Sequence, residues 1–436
     1  MDTLHSGERT VGNMTISLAE NVTLHVIPTK KYKTTRVLIR FATDVTKENA
    51  SYRTLLSSLL ETSSANYPTN KQMNEHLSEL YGASFGSGTG KKGNQHFLEV
   101  SLSVVNEKFL PRKEAVLAAG IDFLEQVLFY PNVQDGQFDK AQFEREKRNL
   151  MAYIQSIYDD KQSRAGLSLQ ALYFEDYPEQ AIPSFGDYHI IKNIENKALV
   201  SYYHQMLRED QIDIMVLGDV EEESVRPLFE SLPFQGRSIS APSFFVDTVA
   251  TSLKEQTECL EVKQGKLNMG YQTGVYYYDE DYFAAQVFNG LFGGFPHSKL
   301  FMNVREKESM AYYASSHLDT FRGMLTVQTG IDDRLKDKVM TLIDAQLASL
   351  QLGEISLEDL YQTKEMLKNQ YRLSQDNPSV MMEVSYLSHY IPNMVMSDDD
   401  WFNKIDAVEV ADVQRVAQRV KKQAIYFMKG VSERVS

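Results

Sequence analysis

The sequence predicts an α+β protein made of two duplicated halves, each an antiparallel-rich sheet with helices packed on one face. Three observations predict it. A helix running into an apolar strand occurs at the end of each half, once at 196–219 and again at 410–430. A helix end crossing into an alternating strand also occurs twice, at 77–104 and at 305–330. Between the copies lies a polar segment, Glu221 to Val246, with Pro233 and Pro242. At 436 residues the chain exceeds one ordinary core, and 42% apolar with 24% charged residues is a globular composition.

Taken in order, Leu77 to Phe85 closes a helix, and the run Gly86–Gly93 then reads as a glycine-rich loop. Gly88, Gly90 and Gly93 formally satisfy GxGxxG. A phosphate loop needs a strand before it and a helix N-terminus after it, however, and here a strand follows. In that strand Leu98, Val100, Leu102 and Val104 alternate. Asn196 to Leu207 forms a helix and Gln211 to Asp219 the closing strand. The linker sets the halves at residues 1–232 and 233–436. In the second half, Gly274 to Tyr282 is an aromatic and acidic segment that reads as a surface turn between strand and helix, with a tyrosine-rich interface patch as the alternative. Gly293 to His297 begins a helix capped by Ser298, or forms a flexible lip. Arg305 to Ser315 ends a helix and leads to the strand Gly323–Gly330. The helix Val410–Val420 and the strand Gln423–Gly430 complete the repeat.

The formal charge of −14 and the pI near 5.2 argue against a phosphate-rich partner such as nucleic acid or an anionic membrane. No stretch approaches the length of a membrane-spanning helix. The start, Met1 to Arg9, carries no basic end followed by an apolar core, so no leader is expected. One cysteine, Cys259, permits no internal disulfide and no cysteine-built metal site. Its Glu-Cys-Leu-Glu-Val setting reads as a strand, with a lone nucleophile as the alternative. A cytoplasmic protein is expected.

The chemistry is concentrated in one run, Ser298-Lys-Leu-Phe-Met-Asn-Val-Arg305-Glu-Lys-Glu-Ser-Met-Ala-Tyr312. It resembles SxLFxxxREKxxxAY, the Arg/Tyr signature in the C-terminal half of the M16 peptidase family (insulinase, pitrilysin and processing peptidases). The resemblance spans nearly the whole chain. It implies two facing halves around a chamber, with Arg305 and Tyr312 holding a substrate peptide. Arginine and tyrosine donors suit peptide carbonyls. The plainer alternative makes Arg305 part of a solvated helix end and Tyr312 or Tyr313 a core residue. At Glu308-Ser309-Met310 the chain departs from the Arg-Gly-Leu usual in active relatives.

The same resemblance calls for HxxEH in Thr54–Thr62, where two histidines on one helical face bind zinc and the glutamate activates water. That segment contains no histidine, and the motif positions fall on residues such as Leu55 or Thr54, Ser57 and Ser58. The downstream ligand position, in Glu146 to Tyr153, is a tyrosine. Two near-misses, His76-Leu-Ser-Glu-Leu80 and His96-Phe-Leu-Glu-Val100, each lack the second histidine, and the latter lies on a strand. The expectation is therefore no catalytic residue, no metal and no cofactor of its own. The chain is expected to be the non-catalytic subunit of a two-chain zinc peptidase, its partner an HxxEH-bearing M16 sister and its ligand a peptide. The alternative is a peptide-binding or scaffold homodimer.

Overall fold

The computed structural model describes residues 13–112, 114–246, 248 and 252–430; the leader reading at Met1–Arg9 lies outside them. The first sheet contains β1 (Met14–Ala19), β2 (Val22–Pro28), β3 (Thr34–Asp44), β4 (Ser84–Lys92) and β5 (Gln95–Val105), closed by β8 (Gln211–Gly218). A small hairpin, β6 (Val133–Gln134) with β7 (Gln137–Phe138), stands apart. The second sheet contains β9 (Lys254–Leu260), β10 (Gly265–Gln272), β11 (Ala311–Asp319), β12 (Met324–Ile331) and β13 (Lys421–Gly430). Its order β9-β13-β10-β12-β11 repeats the order β2-β8-β3-β5-β4 of the first. The parallel pair recurs as well, β2 with β8 and β13 with β9. The duplication read from the sequence is thus a duplication of topology.

Period-two alternation puts Val37, Ile39 and Phe41 of β3 and Leu98 to Val104 of β5 on one face. Helices Lys47–Leu60, Val116–Phe129 and Asn196–Glu209 bury that face. The second sheet packs Leu267, Met269 and Phe427 in the same way against the helices Tyr282–Asn289, Lys336–Gln351 and Val410–Arg419. Cys259 lies on β9, as the strand reading expected, and is exposed.

Two features differ from the sequence reading. The run Gly86–Gly93 is not a loop: Ser84–Lys92 is an edge strand paired along its length with β5. Glycine carries no hydropathy, so its alternation was invisible. The second difference is that each sheet is also covered on its other face, by a helix from the opposite half. Lys161–Tyr173 brings Ala165 and Leu169 onto Ala424, Tyr426 and Met428 of β13. In return, Pro378–Tyr390 brings Met382, Tyr386 and Leu387 onto Ile27, Met215 and Leu217.

The seam under Pro378–Tyr390 is polar as well as apolar. Arg40 lies between the rings of Phe97 and Tyr386, at 4.5 and 4.2 Å. It pairs with Glu99 of its own sheet and Glu383 of the crossing helix. His25 Nε2 lies 2.8 Å from Asp213, which also accepts from Tyr390 Oη at 2.8 Å. The segment around Gly274–Tyr282 belongs here too. Tyr277 stacks on Phe321 at 5.4 Å and joins the seam cluster, while Tyr278 stays exposed, so the surface turn also contributes to the seam.

Candidate functional site

The helix Lys47–Leu60 starts at a Thr46 cap and carries Thr54, Ser57 and Ser58 on one face, at the spacing the zinc motif requires. Each hydroxyl turns back on its own helix. Ser57 Oγ donates to Thr54 O at 2.9 Å and Ser58 Oγ to the same oxygen at 3.2 Å. Thr54 Oγ1 lies 2.8 Å from Ala50 O. Ahead of this face sits the backbone of 182–187. The Ser184 carbonyl lies 3.2 Å from both Thr54 Oγ1 and Thr89 Oγ1, and 2.8 Å from His96 Nε2. Asp187 N–H donates to Ser51 Oγ at 2.9 Å. Gly186 makes this approach possible: at φ +81°, a Cβ there would fall 2.5 Å from Ser51 Cα.

These residues do not fit zinc. Three hydroxyls stand where imidazole and carboxylate are needed, and a carbonyl already fills their front. Tyr153, in the downstream ligand position, is 58% exposed. Among the described residues no group of three His, Cys, Asp or Glu is placed to hold a metal. The near-misses have structural partners. His76 stacks on Tyr67 at 4.7 Å, and His96 is buried in β5 as a neutral ring, pushed down to about 3 by burial and by the charge of Arg53. Its Nδ1 has no partner among the described residues.

Arg53, beside Thr54, is a residue that sequence reasoning missed. It is fully buried, donates from Nη1 to Phe41 O and from Nε to Tyr202 Oη at 2.9 Å each, and pairs through Nη2 with Asp210. The face that holds metal in active relatives is here a structural joint.

The second half is built differently. Leu300–Lys307 is wound as a π-helix, a form often found at functional sites, and it carries Arg305. The guanidinium lies 4.5 Å from the Phe301 ring and 3.6 Å from Glu306, with its side chain 41% exposed. Ser309, where active relatives have glycine, takes φ +50°, the left-handed shape that glycine adopts at no cost. The equivalent turn before β4 uses Tyr81 at φ +58°. Tyr312 then enters β11 at a register shift between Ala311 and Tyr313. It is 71% exposed and makes no hydrogen bond to a described residue. Tyr313, the other candidate, packs under Lys266 at 5.1 Å and against Gly330. Burial and Asp160 push its hydroxyl up to about 12.

Comparison with known proteins agrees with this geometry. The chain is 32% identical to "Probable inactive metalloprotease YmfF" of Bacillus subtilis (strain 168), over 94% of its own length and 96% of that protein's. The chain belongs to the M16 peptidase family. The family description "Peptidase M16 inactive domain" matches residues 193–367. A relative named "Uncharacterized zinc protease YmxG", also from Bacillus subtilis (strain 168), is 23% identical over 69% of this chain and 72% of that one. Among solved structures, a conserved protein from Enterococcus faecalis V583 is 49% identical, with a TM-score of 0.94 over 97% of this chain and 99% of that one. This M16 chain is an inactive homologue of the YmfF type.

Proposed function

We propose that the chain is the substrate-holding, non-catalytic subunit of a two-chain M16 peptidase, working beside a sister that carries HxxEH. One observation carries the reading: Arg305 and Tyr312 remain exposed, with donors not committed to the fold, while the opposite half has closed its own hydroxyls on backbone. A guanidinium and a phenol so placed donate to peptide carbonyls and fix the chain's register. Bond cleavage belongs to the sister. The likeness to "Probable inactive metalloprotease YmfF" supports the absence of activity in this chain alone. A cytoplasmic setting suits a single exposed cysteine without a partner.

The test is a reconstitution of this chain with an HxxEH-bearing M16 sister from the same host, read by peptide turnover. Arg305→Ala is expected to lower turnover at least about tenfold, the effect of losing a charged hydrogen bond to substrate. Equal turnover with wild-type and Arg305→Ala chains would sink the reading in favour of a scaffold homodimer.

A further inference from the structure

The seam contains a cavity of about 400 Å³ that neither the zinc-helix face nor the Arg/Tyr pair explains. The end of β4 supplies Lys91 and Lys92, the helix Lys161–Tyr173 supplies Gln170, and the β11–β12 turn supplies Asp319 and Arg322. Three cations therefore face one carboxylate. Their existing partners show what is left over. Lys92 pairs with Glu383 at 2.9 Å. Arg322 places Nε on Asp319 at 2.7 Å, and Nη1 on Gln170 Oε1 at 3.0 Å and Gln180 O at 3.1 Å. Its Nη2 donates to no described residue.

Lys91 pairs with no carboxylate among the described residues. It donates to the carbonyls of Glu179, Gln180 and Ile182, at 3.2, 2.8 and 3.0 Å. Burial first, and then the neighbouring Arg322, push its ammonium down to about 7, while Asp319 acts the other way. Phe185 and Phe321 supply an apolar part of the wall, with Ser184 beside them.

We propose that this cavity binds a carboxylate attached to an apolar side chain, as at the C-terminal residue of a peptide. The free Nη2 of Arg322 supplies the charged donor and Phe321 the apolar wall. A guanidinium matches the planar carboxylate, and its charge makes a neutral amide the poorer ligand. The proposal deepens the peptide-holding reading and rests on it for the ligand's identity. Asp319 lies seven residues beyond Tyr312 along β11, a span of about 24 Å in a strand. An extended peptide anchored here would reach Tyr312 after about seven residues.

The experiment uses the full chain and small probes, so that it stands apart from any peptidase assay. Binding of N-acetyl-L-phenylalanine, its C-terminal amide and inorganic phosphate is measured by titration calorimetry. The acid is expected to bind at least tenfold tighter than the amide and than phosphate. Arg322→Gln should abolish that preference and Arg305→Ala should leave it intact. Lys91→Met serves as a second variant, with the same expectation as Arg322→Gln. Equal binding of acid and amide, phosphate binding as tight as the acid, no binding, or a preference that survives Arg322→Gln would each overturn the proposal. Acid preference together with turnover indifferent to Arg305→Ala would instead overturn only the two-chain reading.

Discussion

Strands β4 and β11 hold the same place in their two sheets, each at an edge and each entered through a left-handed residue, Tyr81 or Ser309. Around β4 the side chains at the old motif positions have been turned inward. Thr54, Ser57, Ser58, Thr89 and His96 all bond to backbone carbonyls, and Arg53 is locked to Asp210. Around β11, Arg305 and Tyr312 face solvent. The contrast separates polar groups kept for the fold from polar groups left available to a ligand. The old motif positions of the first half are not a vacant site but a tightly bonded one, and the binding proposed above rests on the exposed donors of the second half.

The comparison is broken most directly at Arg53. Arg53→Met strands the Asp210 carboxyl in the core, and urea unfolding should show a loss of about 3–5 kcal/mol. A loss below about 1 kcal/mol would place Arg53 among dispensable residues. Next comes Gly186→Ala, which forces a side chain against Ser51 at φ +81°. Left-handed strain alone costs about 1–2 kcal/mol, so more than about 2 kcal/mol in total is expected in the same assay.

His96 sharpens the contrast through pH. Its folded-state pKa is depressed to about 3, against about 6.5 in the unfolded chain. Protons therefore favour unfolding between these values, and stability present above about pH 6.5 is lost as pH falls toward 3. Between pH 7.5 and 5 the histidine should contribute a loss of about 2 kcal/mol. Subtracting the same measurement on His96→Gln isolates it, and identical pH profiles would contradict the buried neutral ring. The smallest effect belongs to the other edge. Arg305→Ala and Tyr312→Phe should each change stability by no more than about 0.5 kcal/mol, because neither side chain is committed to the fold.

Local periodicity made much of the fold legible. The helix Asn196–Glu209 and strand Gln211–Gly218, and their counterparts at 410–430, follow the sequence reading closely. The edge strand at Ser84–Lys92 escaped because its identity comes from pairing with β5, not from its own glycines. The crossing helices escaped for a related reason. Residues 211–218 are buried at every position, an all-round burial that an apolar run hints at without naming the cover. For the candidate site, motif spacing singled out Thr54, Ser57, Ser58, Arg305 and Tyr312 for inspection. Spacing alone did not reveal Arg53 with Asp210, 157 residues apart, or Lys91 with Arg322, because only the folded sheets bring them together.

The crossing helices also set an order of assembly. As the chain leaves the ribosome, the first sheet is complete once β8 has formed, but its second face waits for Pro378–Tyr390. Until then Ile27, Phe97, Met215 and Leu217 present a bare apolar surface with Arg40 and Asp213 set into it. A truncated N-terminal half would carry that surface permanently, as an aggregation hazard. The two halves, duplicated in topology, are thereby obliged to mature as one unit.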